Sequence, residues 1–149
     1  MTDSVASPNY YVADAPTLEP MDLTMRLPHP LASAFEYVYR AGSKPGVPAL
    51  DDLRKAEFWL EAAFDRMDAG LMFPRPHVPE LMMLLHLFEK KCELAGVLLL
   101  ALQPPMLGGK RDAAEIWYTL FDEALCYVRY RINEEEEKTE GARDNWHGC

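Results

Sequence analysis

The sequence predicts an all-α protein: a compact helical bundle of about four helices, with an irregular N-terminal segment and an acidic, partly disordered C-terminal tail. Three observations predict it. Apolar residues recur at three- and four-residue intervals through four stretches. Proline before and glycine after mark the ends of these stretches. Outside the residues around Tyr10 to Val12, nothing follows the two-residue alternation of a strand. The chain has 149 residues, 49% of them hydrophobic, enough for one core and too few for two domains of usual size. A single domain over residues 1–133 and a tail over 134–149 are expected.

Residues 1–28 read as the irregular segment. Pro28 and Pro30 then lead into a first helix from Leu31, with Leu31, Phe35, Val38 and Tyr39 on one face and Gly42 as its stop. After the turn-rich Ser43 to Pro48 a second helix runs from about Ala49 to Ala69, its stripe being Leu53, Leu60, Phe64 and Met67 and its stop Gly70. Residues 31–69 should therefore form an antiparallel hairpin. The proline-rich loop Phe73 to Pro79 delivers a third helix ending before Pro104 and Pro105. It is apolar nearly all round, which suits the centre of a bundle or an oligomer interface. Gly108 and Gly109 precede a fourth helix from about Arg111 to Ile132, with Ile116, Trp117, Leu120, Phe121, Ala124, Leu125 and Val128 inward. Residues 79–132 make a second hairpin. The tail, with Glu134 to Glu137 in a row, has little to bury and should fray.

The net charge of -9 argues against generic DNA binding, which needs a positive surface. The acidity is concentrated at the ends: Asp3, Asp14, Glu19 and Asp22 meet no base in the first 22 residues, and the last 17 hold six acids and two bases. Cys92, Cys126 and Cys149 are odd in number with no close pair, which fits reduced thiols in a cytoplasm better than a disulfide framework. The first twenty residues lack the basic start and apolar run of a signal peptide. The longest apolar run, Leu94 to Leu102, is too short to span a bilayer. A cytoplasmic location and no membrane partner are expected.

No Walker loop, G-x-G-x-x-G turn or G-x-S-x-G elbow is present. Gly108, Gly109, Lys110 and Arg111 place two glycines and two bases at a helix start, an anion-binding arrangement that also serves as a simple helix opening. Glu57, Glu61, Asp65 and Asp68 recur at helical spacing, as do His86, Glu89 and Glu93. Such arrays suit Mg²⁺ between helices, or ordinary pairing with Arg54, Lys55 and Arg66. His86, on an apolar helix, reads as a core histidine.

Three blocks carry more. They are Leu18-Glu-Pro-Met-Asp-Leu23, Leu31-Ala-Ser-Ala-Phe-Glu-Tyr-Val-Tyr-Arg-Ala-Gly-Ser-Lys44 and Asp51-Asp-Leu-Arg-Lys-Ala-Glu-Phe-Trp-Leu60. In order and spacing they resemble the small phage proteins of the nucleotide kinase-like family, whose blocks read roughly I-E-x-I-D-V-I, G-N-A-x-K-Y-I-x-R-A-G-K-K and D-L-x-K-A-x-W-Y-L. Matching positions include Glu19, Asp22, Tyr37, Arg40, Gly42, Lys44, Asp52, Leu53, Lys55 and Ala56. The chain departs at Ala32 and Ser33, where the family has Gly-Asn, at Glu36, where it has Lys, and at Ser43. The resemblance covers about residues 18–60. It implies binding of nucleotides and phosphoryl transfer to (deoxy)nucleoside monophosphates, with ATP or another nucleoside triphosphate as donor and Mg²⁺ as a compatible cofactor.

The residues make physical sense in those roles. Tyr37 and Arg40 share a helix face, Lys44 follows in the loop, and Asp52 and Lys55 share a face of the next helix. Arg40, Asp52 and Lys55 are the expected catalytic residues; Glu19, Asp22, Ser33, Tyr37 and Lys44 are the expected substrate-binding set. Three cations and a helix start would grip phosphate groups, while Asp52 with Glu19 or Asp22 would orient a metal or a sugar hydroxyl. Phosphoryl transfer asks mainly for positioning and charge neutralisation, which a helical scaffold can supply. A structural alternative is a buried Arg40–Asp52 ion pair that fixes the hairpin. A functional alternative is a non-catalytic acidic bundle that docks on a host or phage enzyme. The apolar third helix also predicts a homo-oligomer in which Leu94 to Leu102 packs against a symmetry mate.

Overall fold

A computed structural model describes residues 18–103 and 111–147, with side chains through Glu140. Among the described residues the protein is all-α, with six helices and no strand. The segments around Tyr10 to Val12 and Gly108 to Lys110 lie outside them.

The first helix, α1 (Pro20–Thr24), falls inside the segment expected to be irregular. Pro20 at its start presets φ, and a capping box closes it: the Glu19 amide donates to Asp22 Oδ2 at 2.8 Å while the Glu19 side chain accepts from the Asp22 amide. α2 (His29–Arg40) buries Leu31, Ala34, Phe35 and Val38, the spacing of one helical face. Tyr39, expected on that face, is 38% exposed. α3 (Ala49–Asp68) runs antiparallel to α2 and buries Leu53, Ala56, Leu60 and Ala63 against its neighbours. Phe64 and Met67 of the expected stripe are only partly buried. Asp51 and Asp52 in its first turn and Arg66 in its last suit the helix dipole.

The single long third helix expected from the sequence is two. α4 (Val78–Phe88) starts with the His77 Nδ1 accepting from the Glu80 amide and ends where the Lys91 and Cys92 amides both donate to the Phe88 carbonyl. α5 (Glu93–Ala101) begins after Cys92, which is extended. The physical reason is angular. Leu85 and Leu94 are nine residues apart, about two and a half turns, so a straight helix would point them in opposite directions. The break at 89–92 lets both be fully buried, along with Phe88 and Leu98.

The last helix, α6 (Ala113–His147), opens with a reciprocal box: the Glu115 amide donates to Asp112 Oδ1 at 2.8 Å and the Asp112 amide donates to Glu115 Oε1 at 3.2 Å. All seven residues expected inward are buried. The helix does not stop at Ile132; the acidic stretch expected to fray is helical through His147, giving 35 residues and a length of about 52 Å. Its charges are held by pairs: Arg131 faces Glu134 and Glu135, and Lys138 reaches Glu135 at 3.1 Å. The main partner of α6 is α3, with α5 second, so the two expected hairpins are stitched together along α3.

One core joins all six helices. Phe35 meets Phe88 edge-on at 6.2 Å, and Phe121 lies 5.6 Å from Phe73 and 6.3 Å from Phe64. Across the α5–α6 contact the Tyr127 hydroxyl donates to Glu93 Oε1 at 3.0 Å and accepts from Arg131 Nη1 at 3.2 Å. Cys92 is buried and Cys126 exposed, both unbridged. No helix among the described residues is long and apolar enough to cross a membrane.

Phe121→Ala should cost about 3–5 kcal/mol, read by urea denaturation, because it empties the centre of the aromatic cluster. A second expectation concerns alkaline pH. Burial chiefly, and then the Glu93 acceptor, push the Tyr127 hydroxyl up from 10.0 to about 12, against the opposing pull of Arg131. The folded chain thus holds a proton that the unfolded chain releases. This contribution to stability is complete below pH 10 and is lost as the pH rises from 10 to 12. Denaturation of Tyr127→Phe across that window should show a shallower decline than the parent protein.

Candidate functional site

The candidate site is the face of the α2–α3 hairpin, and its turn is built by two glycines. Gly42, with φ +84°, and Gly46, with φ +78°, adopt left-handed backbone that side chains resist. The Ser43 amide and Oγ both return to the Arg40 carbonyl, at 3.0 and 2.7 Å, capping the end of α2. A Cβ at Gly42 would stand 3.5 Å from that of Ala49, so the last turn of α2 lies directly on the first turn of α3. From that fixed corner the helices run back antiparallel, and residues matched across them share the face.

Tyr37 is the platform of this face. The Arg40 guanidinium carbon lies 4.7 Å from the centre of its ring, and Lys55 Nζ, from the opposite helix, lies 5.7 Å from the same centre. Among the described residues neither cation forms an ion pair, although Glu36 precedes Arg40 by one turn and Asp51 precedes Lys55 by one turn. Ser33, one turn before Tyr37, is partly buried on α2, and Lys44 is exposed in the turn. Farther along the hairpin His29 meets Trp59 edge-on at 4.9 Å.

Asp52 lies one turn before Lys55 and is only 3% exposed. Its Oδ2 has no hydrogen-bond partner. The Arg40–Asp52 ion pair set out as a structural alternative is not among the ion pairs of the described residues.

Three of the residues singled out from sequence, Tyr37, Arg40 and Lys55, are thus brought together. Asp52 stands one turn before Lys55 on the same helix, while Ser33 lies one turn before Tyr37 on α2 and Lys44 in the turn. Glu19 and Asp22 serve each other at the start of α1, which packs on α2 and α4. The α3 carboxylates behave differently from expectation. Glu57 and Glu61 do not pair along their own helix; both hold Arg129 of α6, at 3.1 and 2.5 Å, and Arg54 pairs with Glu136. His86 is exposed, not in the core, and its Nδ1 lies 2.6 Å from Glu89. No group of three His, Cys, Asp or Glu suited to a metal occurs among the described residues.

Sequence reading treated the loop Phe73 to Pro79 as a connector. In the structure it walls a cleft of about 320 Å³ with Met25, Arg26, Glu80 and Trp117. Its polar groups are already engaged: Arg26 holds Glu80 at 3.1 and 3.3 Å, and the Trp117 indole donates to the Pro74 carbonyl at 2.7 Å. The density of proline and aromatic residues in the loop was the available signal for this packing.

No family model, curated protein or solved structure matches the chain.

Because Gly42 fixes the corner from which the site is measured, Gly42→Ala should destabilise the protein by about 1–2 kcal/mol through backbone strain, read by urea denaturation. The new methyl group itself meets only ordinary contact at Ala49.

Proposed function

We propose that the protein binds (deoxy)nucleoside phosphates on the α2–α3 face and transfers a phosphoryl group to (deoxy)nucleoside monophosphates without a Walker loop. The observation that carries the binding is the convergence of Arg40 and Lys55 on Tyr37 with no carboxylate paired to either among the described residues. Two cations gathered on one ring repel each other, and an anion bound between them would offset that repulsion. The planar guanidinium suits two phosphate oxygens at once, while the ammonium acts as a point charge. The transfer itself is supported by the resemblance of residues 18–60 to the phage nucleotide kinase-like proteins.

In this reading ATP, or another nucleoside triphosphate, gives up its γ-phosphoryl group to a phosphate oxygen of the acceptor. The bond to the leaving diphosphate breaks as the new phosphorus–oxygen bond forms. Arg40 and Lys55 neutralise the charge gathered on the transferring group, and Lys44, exposed in the turn, extends the positive field toward the donor. Mg²⁺ is compatible with this chemistry as a partner of the triphosphate. Ser33 and Tyr37 line the acceptor side. The reading places the protein in the cytoplasm, where its substrates are.

It also keeps a homo-oligomer, but through a narrower face than Leu94 to Leu102 as a whole. Leu94, Leu98 and Leu102 are buried within the chain, whereas Leu100 is 74% exposed beside partly buried Val97. A symmetry mate would therefore meet Leu100 and Val97. A second reading, an acidic module that docks on a host or phage enzyme, is favoured by the exposed Glu137 and Glu140 along α6.

Calorimetry with each deoxynucleoside monophosphate and with ATP, with and without Mg²⁺, tests the proposal. Arg40→Ala and Lys55→Ala should each weaken binding at least tenfold, as expected for loss of a charge-assisted hydrogen bond. Absence of binding and turnover with every nucleotide overturns it. A stoichiometric protein partner retained by both variants would favour the docking module.

A further inference from the structure

We infer that Asp52 is the hydroxyl-recognising residue of this site, so that its ligand is a nucleoside 5′-monophosphate read by its sugar hydroxyl as well as its phosphate. The inference rests on the nucleotide reading above and adds to it the part of the ligand that is recognised. Asp52 is 97% removed from solvent, and its Oδ2 accepts no hydrogen bond. Buried polar atoms are nearly always paired, and an exception calls for a reason. The start of α3 accounts for a negative charge there, since the helix dipole favours one. It leaves the open acceptor unexplained, because no amide of that helix donates to it.

A divalent ion would want further carboxylates. The two that sequence reading offered, Glu19 and Asp22, close on each other's backbone at α1. A hydrogen-bond donor is what remains. Asp52 stands three residues from Lys55, about 4.5 Å along the helix, and the sugar hydroxyls are the first donors met on leaving a phosphate held at Lys55 and Arg40. The edges of a base lie farther away. Inorganic phosphate, lacking the sugar, would engage the cations alone.

The test uses calorimetry on the full chain with the four deoxynucleoside 5′-monophosphates, their 2′,3′-dideoxy counterparts and inorganic phosphate. The native protein should bind the preferred monophosphate at least tenfold more tightly than its dideoxy counterpart. Asp52→Ala should bind the two equally, and Asp52→Asn should lose most of the discrimination while phosphate affinity is kept. In thermal melts without ligand, Asp52→Asn should be as stable as the native chain or more so, because Oδ2 has no hydrogen bond to lose and a neutral amide is less costly to bury than a carboxylate.

Equal affinity of the native protein for the deoxy and dideoxy forms overturns the inference and leaves the phosphate site standing. Discrimination that persists in Asp52→Ala also overturns it. A lower melting temperature in Asp52→Asn with discrimination intact assigns Asp52 a purely structural part. Absence of binding by all nucleotides overturns this inference and the nucleotide reading together.

Discussion

The structure depends on α3 being buried along two sides at once. Its small residues Ala56 and Ala63 and its leucines Leu53 and Leu60 are all fully enclosed. They let α2 and α6 approach the same helix, the two most extensive contacts in the chain. A short side chain at such a position permits close approach of the helices, and a leucine between two partners removes apolar surface from water on both sides. α5 packs on α6, and α4 on α5 and α1, which buries Leu85, Phe88, Leu94 and Leu98. Removing α3 from this arrangement would leave two apolar faces without a partner, whereas α1, a single short turn on α2 and α4, contributes only a lid.

Much of this was legible in the chain. Proline and glycine punctuation fixed where α2 and α3 begin and end, and the inward residues of α6 followed from a 3.6-residue period that no competing pattern disturbed. What could not be read was angular or collective. The break after Phe88 follows from the opposing directions of Leu85 and Leu94, which becomes a conflict only once a core exists on one side. The run Glu134 to Glu137 looked unfit for ordered structure as a block of like charge. Glutamate is nonetheless a good helix former, and Arg131, Lys138 and the distant Arg54 distribute that charge among pairs.

The site was legible in part for the same reason. Tyr37 and Arg40 are neighbours by helical spacing alone, so their contact needs no tertiary knowledge. Lys55 joins them because the hairpin is antiparallel, which the glycine-rich turn made predictable. Glu19 and Asp22 were read as ligand-binding carboxylates, whereas the structure uses their three-residue spacing for a capping box that starts α1. The pairing of Glu57 and Glu61 with Arg129 was invisible, since it spans about seventy residues of chain and depends on which face of α3 meets α6.

That last contact also bears on how an acidic protein keeps a cationic site. The charged residues of α3 are sorted by direction. Arg54, Glu57 and Glu61 turn to α6, where Glu136 and Arg129 neutralise them. Lys55 turns to α2, where it meets the Tyr37 ring, and the buried Asp52 Oδ2 meets no donor. Had Arg129 been absent, Glu57 would stand unpaired two residues from Lys55 and lower the potential around it. Pairing Glu57 and Glu61 with Arg129 keeps their charges from reaching across the helix. At physiological salt, fields from exposed charges fade over about 8 Å. An anion arriving at the hairpin therefore responds to Arg40 and Lys55 more than to the net charge of -9 carried by the whole chain.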